Sequence, residues 1–92
     1  MLYAKDPDAV LDYAVDWTDR LEAGETITAA FWEVAPAEAG GLLITLEGGS
    51  GSQRTATVSG GAPGHVYRLT NRVSTSLGRT DDQSFLIRIT EQ

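Results

Sequence analysis

Between Val66 and Thr75 the chain reads VYRLTNRVST, with Tyr67, Leu69 and Val73 on one parity and Arg68, Thr70, Arg72 and Ser74 on the other. Ser84 to Thr90 (SFLIRIT) repeats the pattern, setting Phe85, Ile87 and Ile89 against Arg88 and Thr90, and Arg54 to Ser59 (RTATVS) sets Ala56 and Val58 against Thr55 and Thr57. Successive side chains of a strand point to opposite faces, so this period of two predicts antiparallel strands with one buried and one wet face. Leu42 to Leu46 (LLITL) is a further short β-type run. Thr26 to Val34 (TITAAFWEV) is also strand-like, but its phase slips: Ile27, Ala29 and Phe31 share one face, Trp32 and Val34 the other. A strand buried on both sides, or a bulge near Ala29-Ala30, accounts for the slip. Pro36 ends this run.

Two readings fit residues 8–23. Leu11, Tyr13, Val15 and Trp17 alternate with Asp12, Ala14 and Asp16 as in a strand. Val10, Ala14, Trp17 and Leu21 fall at helical spacing, with Asp6 as N-cap, Pro7 as first residue and Gly24 as terminator. The caps favour the helix; the β-branched and aromatic residues Val10, Tyr13, Val15 and Trp17 favour the strand.

The punctuation is glycine. Gly40-Gly41, Gly48-Gly49, Gly51, Gly60-Gly61, Gly64 and Gly78 separate the runs. Short strands with turn signals between them predict an all-β sandwich or barrel. Gly48 to Ser52 (GGSGS) is expected as a loop tip, and Arg79-Thr80-Asp81-Asp82 as a turn in which Arg79 pairs with an acid. At 92 residues the chain has room for one domain, residues 1–92, with 1–5 a candidate N-terminal arm. Leu2 and Tyr3 are then candidate partner contacts, docking on a neighbour or extending a sheet edge; a frayed end is the alternative.

Composition removes much chemistry. With no Cys there is no disulfide, thiolate nucleophile or Cys-ligated zinc, and His65 as sole histidine argues against a His-cluster metal site or a Ser-His-Asp triad. No apolar run is long enough to span a membrane, and no apolar leader is expected at the N-terminus. The net charge of −6 argues against nucleic acid. It is unevenly spread: residues 1–46 hold Lys5 and Arg20 against nine acids, and residues 47–92 hold five arginines against four acids. Opposite charges on opposite faces suit head-to-tail contacts between copies; a solvated acidic surface is the plainer reading.

Asp6, Asp8, Asp12, Asp16 and Asp19 invite calcium or acid–base catalysis, but no EF-hand spacing is present. A solvent face for Asp12 and Asp16, with Asp6 and Asp8 shaping a turn, explains them better. Ser59 to Gly64 (SGGAPG) lacks the Lys-Ser/Thr of a phosphate loop and precedes a strand, so a turn needing positive φ is expected. Tyr67 then stands where a sandwich corner tyrosine bonds back to the upstream backbone. Asn71, on the Leu69–Val73 face, is expected to be buried with its amide satisfied. Trp17 and Trp32 are expected in the core; a sugar-stacking platform is the functional alternative.

Lys5 to Trp17 (KDPDAVLDYAVDW), Glu25 to Ile27 (ETI) with Trp32 downstream, and Ser59 to Ser84 (SGGAPGHVYRLTNRVSTSLGRTDDQS) resemble a family of small tailed-bacteriophage proteins. Its members carry a DPDxxLDYxxDW start, a gDtI turn and a GGxxGxxYxxTNRxxTxxGRTDxxS stretch, and are described as fibre–tail adaptor or small virion proteins with an immunoglobulin-like sandwich. The resemblance runs from Lys5 to about Ile89 and is loose over Ala37 to Arg54. It implies about seven strands, of which the pattern alone identifies six, and makes the first segment a strand. It marks Tyr13, Asp16, Trp17, Trp32, Tyr67, Asn71, Arg72, Arg79 and Asp81 as motif residues with structural roles. It further implies a non-enzymatic part of the virion, made in the host cytoplasm and lodged in the tail or neck. There it would join tail, neck or fibre proteins, as a symmetric homo-oligomer, with no cofactor, metal, nucleic acid or membrane. A stand-alone carbohydrate- or cell-surface-binding module is the alternative.

Overall fold

A computed structural model describes residues 1–91. Seven strands follow one another along the chain: β1 (Leu2–Lys5), β2 (Leu11–Asp16), β3 (Ile27–Ala35), β4 (Leu42–Ser50), β5 (Gln53–Gly60), β6 (Val66–Thr75) and β7 (Thr80–Ile89). They form a four-stranded sheet in the order β1-β7-β6-β3 and a three-stranded sheet in the order β2-β5-β4. Within these, β7-β6-β3 and β2-β5-β4 match the G-F-C and B-E-D strands of an immunoglobulin-like sandwich. The first strand joins β7 in parallel rather than β2.

The alternating residues meet in the middle. Ala56 and Val58 of β5 face Tyr67 and Leu69 of β6 and Phe85, Ile87 and Ile89 of β7, with Trp32 and Leu42 completing one buried cluster. Burying these side chains is the main favourable term in a domain of this size.

The phase slip in β3 is a bulge. Pairing with β6 shifts register between Ile27 and Ala29. Ile27 opposes the buried Thr75, while beyond the bulge Ala30, Trp32 and Val34 oppose Val73, Asn71 and Leu69. One extra residue thus moves the inward set from odd to even positions. The two-sided burial is excluded, because Phe31 stays 44% exposed. A second shift between Ile44 and Leu46 turns Leu46 outward.

Three expectations need correction, and one open choice is decided. Residues 8–23 hold the strand that the resemblance implied and no α-helix: β2 pairs along its length with β5, and only Thr18–Arg20 make a 3-10 turn. Pairing with a waiting strand outweighs local capping. The GGSGS tip shrinks to a two-residue turn, since β4 runs to Ser50 and Gly49 opposes Arg54. A Cβ on Gly49 would lie 2.3 Å from the Gln53 carbonyl oxygen, so glycine here admits a neighbouring backbone. Gly51, at φ +59°, opens the turn, as a type II′ hairpin requires. Thr80, Asp81 and Asp82 belong to β7 rather than a turn, paired with Ser74, Val73 and Arg72. Lastly, residues 1–5 are no free arm: Leu2, Tyr3, Ala4 and Lys5 pair with Leu86 to Ile89. Four residues are too few to show alternation. The strand is also closed by an unusual residue, Lys5, 1% exposed, whose amine donates to the carbonyls of Asp6 at 2.9 Å and Gly60 at 2.7 Å. Its burial lowers the lysine pKa.

Candidate functional site

Most of the motif residues gather at one end of the sandwich. Trp17 leaves β2 and turns fully inward, where its indole N–H donates to Asn71 Oδ1 of β6 at 2.9 Å. Asn71 Nδ2 donates onward to the Phe31 carbonyl at 3.1 Å, so the buried amide is used on both sides. Asp16 fixes the exit from β2: its Oδ1 accepts from Thr18 N at 2.9 Å and Thr18 Oγ1 at 2.6 Å. The Thr18 hydroxyl bond, the larger contribution, holds this carboxyl below the usual range. Gln83 Nε2 of β7 donates to the Asp16 carbonyl at 3.1 Å.

Beside Trp17 lies an ion-pair lock. Arg79 forks onto Glu25, with Nε 2.9 Å from Oε2 and NH2 bonded to Oε1, and its NH2 also donates to the Arg20 carbonyl at 3.0 Å. Thr75 Oγ1 donates to Glu25 Oε2, and the Glu22 N–H donates to Oε1 at 2.8 Å. The Glu25 side chain has no exposed surface, and the Arg79 and Thr75 bonds lead in holding its pKa down to about 2. Further out, Arg20 reaches Asp81 at 3.1 Å and lies 5.7 Å from the Trp17 ring centroid, and Arg72 clasps Asp82 through two bonds of 2.7 and 3.0 Å. The β2 exit, the turn before β3 and the β6–β7 hairpin, three separate stretches of sequence, are thereby tied into one rigid end.

The opposite end carries the corner tyrosine. Tyr67 OH accepts from Ala62 N at 3.0 Å and donates to Glu38 Oε1 at 2.5 Å, and His65 Nδ1 sits 2.8 Å from the same oxygen. Burial, then the Glu38 bond, raises the phenol's pKa. This corner ties the β5–β6 connection to the loop before β4.

The remaining sequence candidates fall in the interior or along the flank. Tyr3 and Tyr13 have ring centroids 5.1 Å apart, and each lies 5.4 Å from Phe85. Tyr3 therefore packs on its own domain, while Leu2 stays exposed on the outer side of β1. Trp32 meets Phe85 edge-on at 6.0 Å and is buried, so neither tryptophan offers a stacking platform. Among the described residues, no three acidic or histidine side chains converge as a metal site. Asp12 accepts from Thr57 at 2.5 Å, and Asp6 accepts from Asp8 N at 2.8 Å to form the turn before β2. Glu25, Lys5 and Glu38 are structural anchors that sequence reasoning passed over. Glu25 stood in the ETI stretch without a role, and nothing local marks the partners of Lys5 or Glu38, 55 and 29 residues away.

The polar side chains of the motif thus tie strands together at the two ends, with two broad sheet faces between them. Residues 5–88 match the model of a family described as podophage GP4 fiber-tail adaptor protein gp77. No curated protein matches the chain.

Proposed function

This chain belongs to the podophage GP4 fiber-tail adaptor family, and from that premise we propose that it is a non-enzymatic adaptor that joins tail and fibre proteins in a phage particle. Residues 1–92 act as one immunoglobulin-like domain, held in the virion by contacts with neighbouring tail, neck or fibre proteins and with further copies of itself. The observation that carries this reading is the match over nearly the whole chain, 84 of 92 positions, which takes in β2 to β6 whole and β7 up to Arg88. The structure supports it in kind. Catalysis needs convergent reactive groups in a recess, whereas here the polar side chains of the motif tie strands together. A joining part must instead hold its surfaces at fixed angles, and the Glu25–Arg79 lock and the Tyr67 corner do that at the two ends.

Deletion of the coding sequence from the phage tests this role. Electron microscopy is expected to show particles with tails but without attached fibres, restored by supply of the protein in trans. Particles that keep their fibres would contradict the role. With both tryptophans buried, neither supports the carbohydrate-binding alternative.

A further inference from the structure

Exposed leucines on the two outer faces of the sandwich have neighbours of opposite charge. On the four-stranded sheet, cross-strand register places Arg68 opposite Leu86, Leu86 opposite Leu2, and Val66 opposite Arg88. Leu2, Val66 and Leu86 are all exposed. Arg68 and Arg88 are diagonal neighbours of like charge, and neither makes an ion pair or side-chain hydrogen bond among the described residues. Arg20, Arg72 and Arg79, by contrast, each hold a carboxylate. On the three-stranded sheet, Leu43 and Leu46 of β4 are 59% and 67% exposed, and pair with Ser59 and Thr57 of β5. Asp12 stands on the far side of Thr57, on the same outward face. One face thus presents arginine among apolar residues; the other presents carboxylate among apolar residues. Exposed apolar patches with a charged rim mark protein contacts, and arginine is enriched in them while complementary charge sets the partner.

We propose that the occupant of the Arg68–Arg88 face is a second copy of this chain, docking by its Asp12–Leu46 face. The molecule measures 43 × 21 × 20 Å, so a broad face can contribute the roughly 800 Å² per partner of a stable interface. The contact is heterologous, one face on a different face, so it leaves one free face at each end of a pair and builds a ring or an open stack. This deepens the adaptor reading by naming one partner of its surface.

Sedimentation velocity on the purified chain tests it, across protein concentration and at about 0.01 M and about 1 M salt, where charges are screened beyond roughly 30 and 3 Å. The wild-type chain is expected to self-associate, at least tenfold more weakly at high salt. Arg68→Ser/Arg88→Ser and Asp12→Ser/Leu46→Ser are each expected to be monomeric, with unchanged circular dichroism and melting. Mixed together, the two variants are expected to form a one-to-one dimer and nothing larger, because each retains the face the other needs. A wild-type chain that stays monomeric throughout, a variant that still assembles, or a mixture that does not pair would overturn the proposal. The solution result is independent of the virion: its failure leaves the adaptor role standing, and absence from particles would leave the self-contact untouched.

Discussion

The indole N–H of Trp17 and the amide oxygen of Asn71 meet at 2.9 Å inside the sandwich, 54 residues apart in sequence. Trp17 follows β2 in one sheet and Asn71 lies in β6 of the other, so this bond joins the two layers where no backbone ladder does. Truncation of Trp17 to Ala is expected to cost about 3–5 kcal/mol through the lost ring and its cavity. Trp17→Phe keeps much of the ring but leaves the Asn71 oxygen unpaired, at about 1–3 kcal/mol. A double-mutant cycle with Asn71→Leu, read by urea unfolding, is expected to show coupling of at least about 1 kcal/mol. Additive losses would mean that the bond does not bind the sheets together.

The Glu25 lock makes stability depend on acid. Its folded pKa, about 2, lies below the ordinary 4.5, so the contribution is fully present above about pH 4.5 and is lost as the pH falls towards 2. Glu38 and Asp82 are shifted in the same direction, by bonds from Tyr67 and Arg72. Glu25→Gln is expected to be less stable than wild type at pH 7, with the gap closing between pH 4.5 and 2. Urea midpoints measured along that range check this; parallel curves would assign the acid sensitivity elsewhere.

At the other end, Tyr67→Phe removes the acceptor of the Ala62 N–H and a donor to Glu38 while keeping the ring in place. A loss of about 1–2 kcal/mol is expected, with faster amide exchange at Ala62. Full protection of that amide in the variant would show that the hydroxyl does not hold the turn.

Gly61→Ala probes the same connection from the backbone side. Gly61 has φ +107°, and a Cβ there would come within 2.5 Å of the Ile89 side chain. Conformational strain and overpacking add, so a cost of about 2 kcal/mol or more is expected on chemical unfolding. Gly24→Ala, which meets nothing within 4 Å, is expected to cost less, through its φ of +78° alone.

Where strands have one wet and one dry face, their course was legible in the chain. Alternation located β5 and β6, and even the bulge in β3 showed as a slip of phase, because a period of two has no other way to record an added residue. The ends of strands were hidden where glycines or charged residues enter pairing: Gly48-Gly49 follows the pattern of a loop, and Thr80 to Asp82 that of a turn, until a partner strand takes up their backbone groups. Tyr67 and Asn71 could be placed because each stood out against its face, a tyrosine at a corner and an amide among apolar neighbours. Glu25, Lys5 and Glu38 could not, since a charge that anchors the fold is defined by distant partners and looks in sequence like any solvated one.

The adaptor role is tested most directly by quantitative mass spectrometry of purified, nuclease-treated phage particles. The account predicts this chain at a small, constant copy number relative to the major capsid protein, retained through gradient purification together with tail and fibre proteins. Its absence from particles that are otherwise complete and infectious would contradict it.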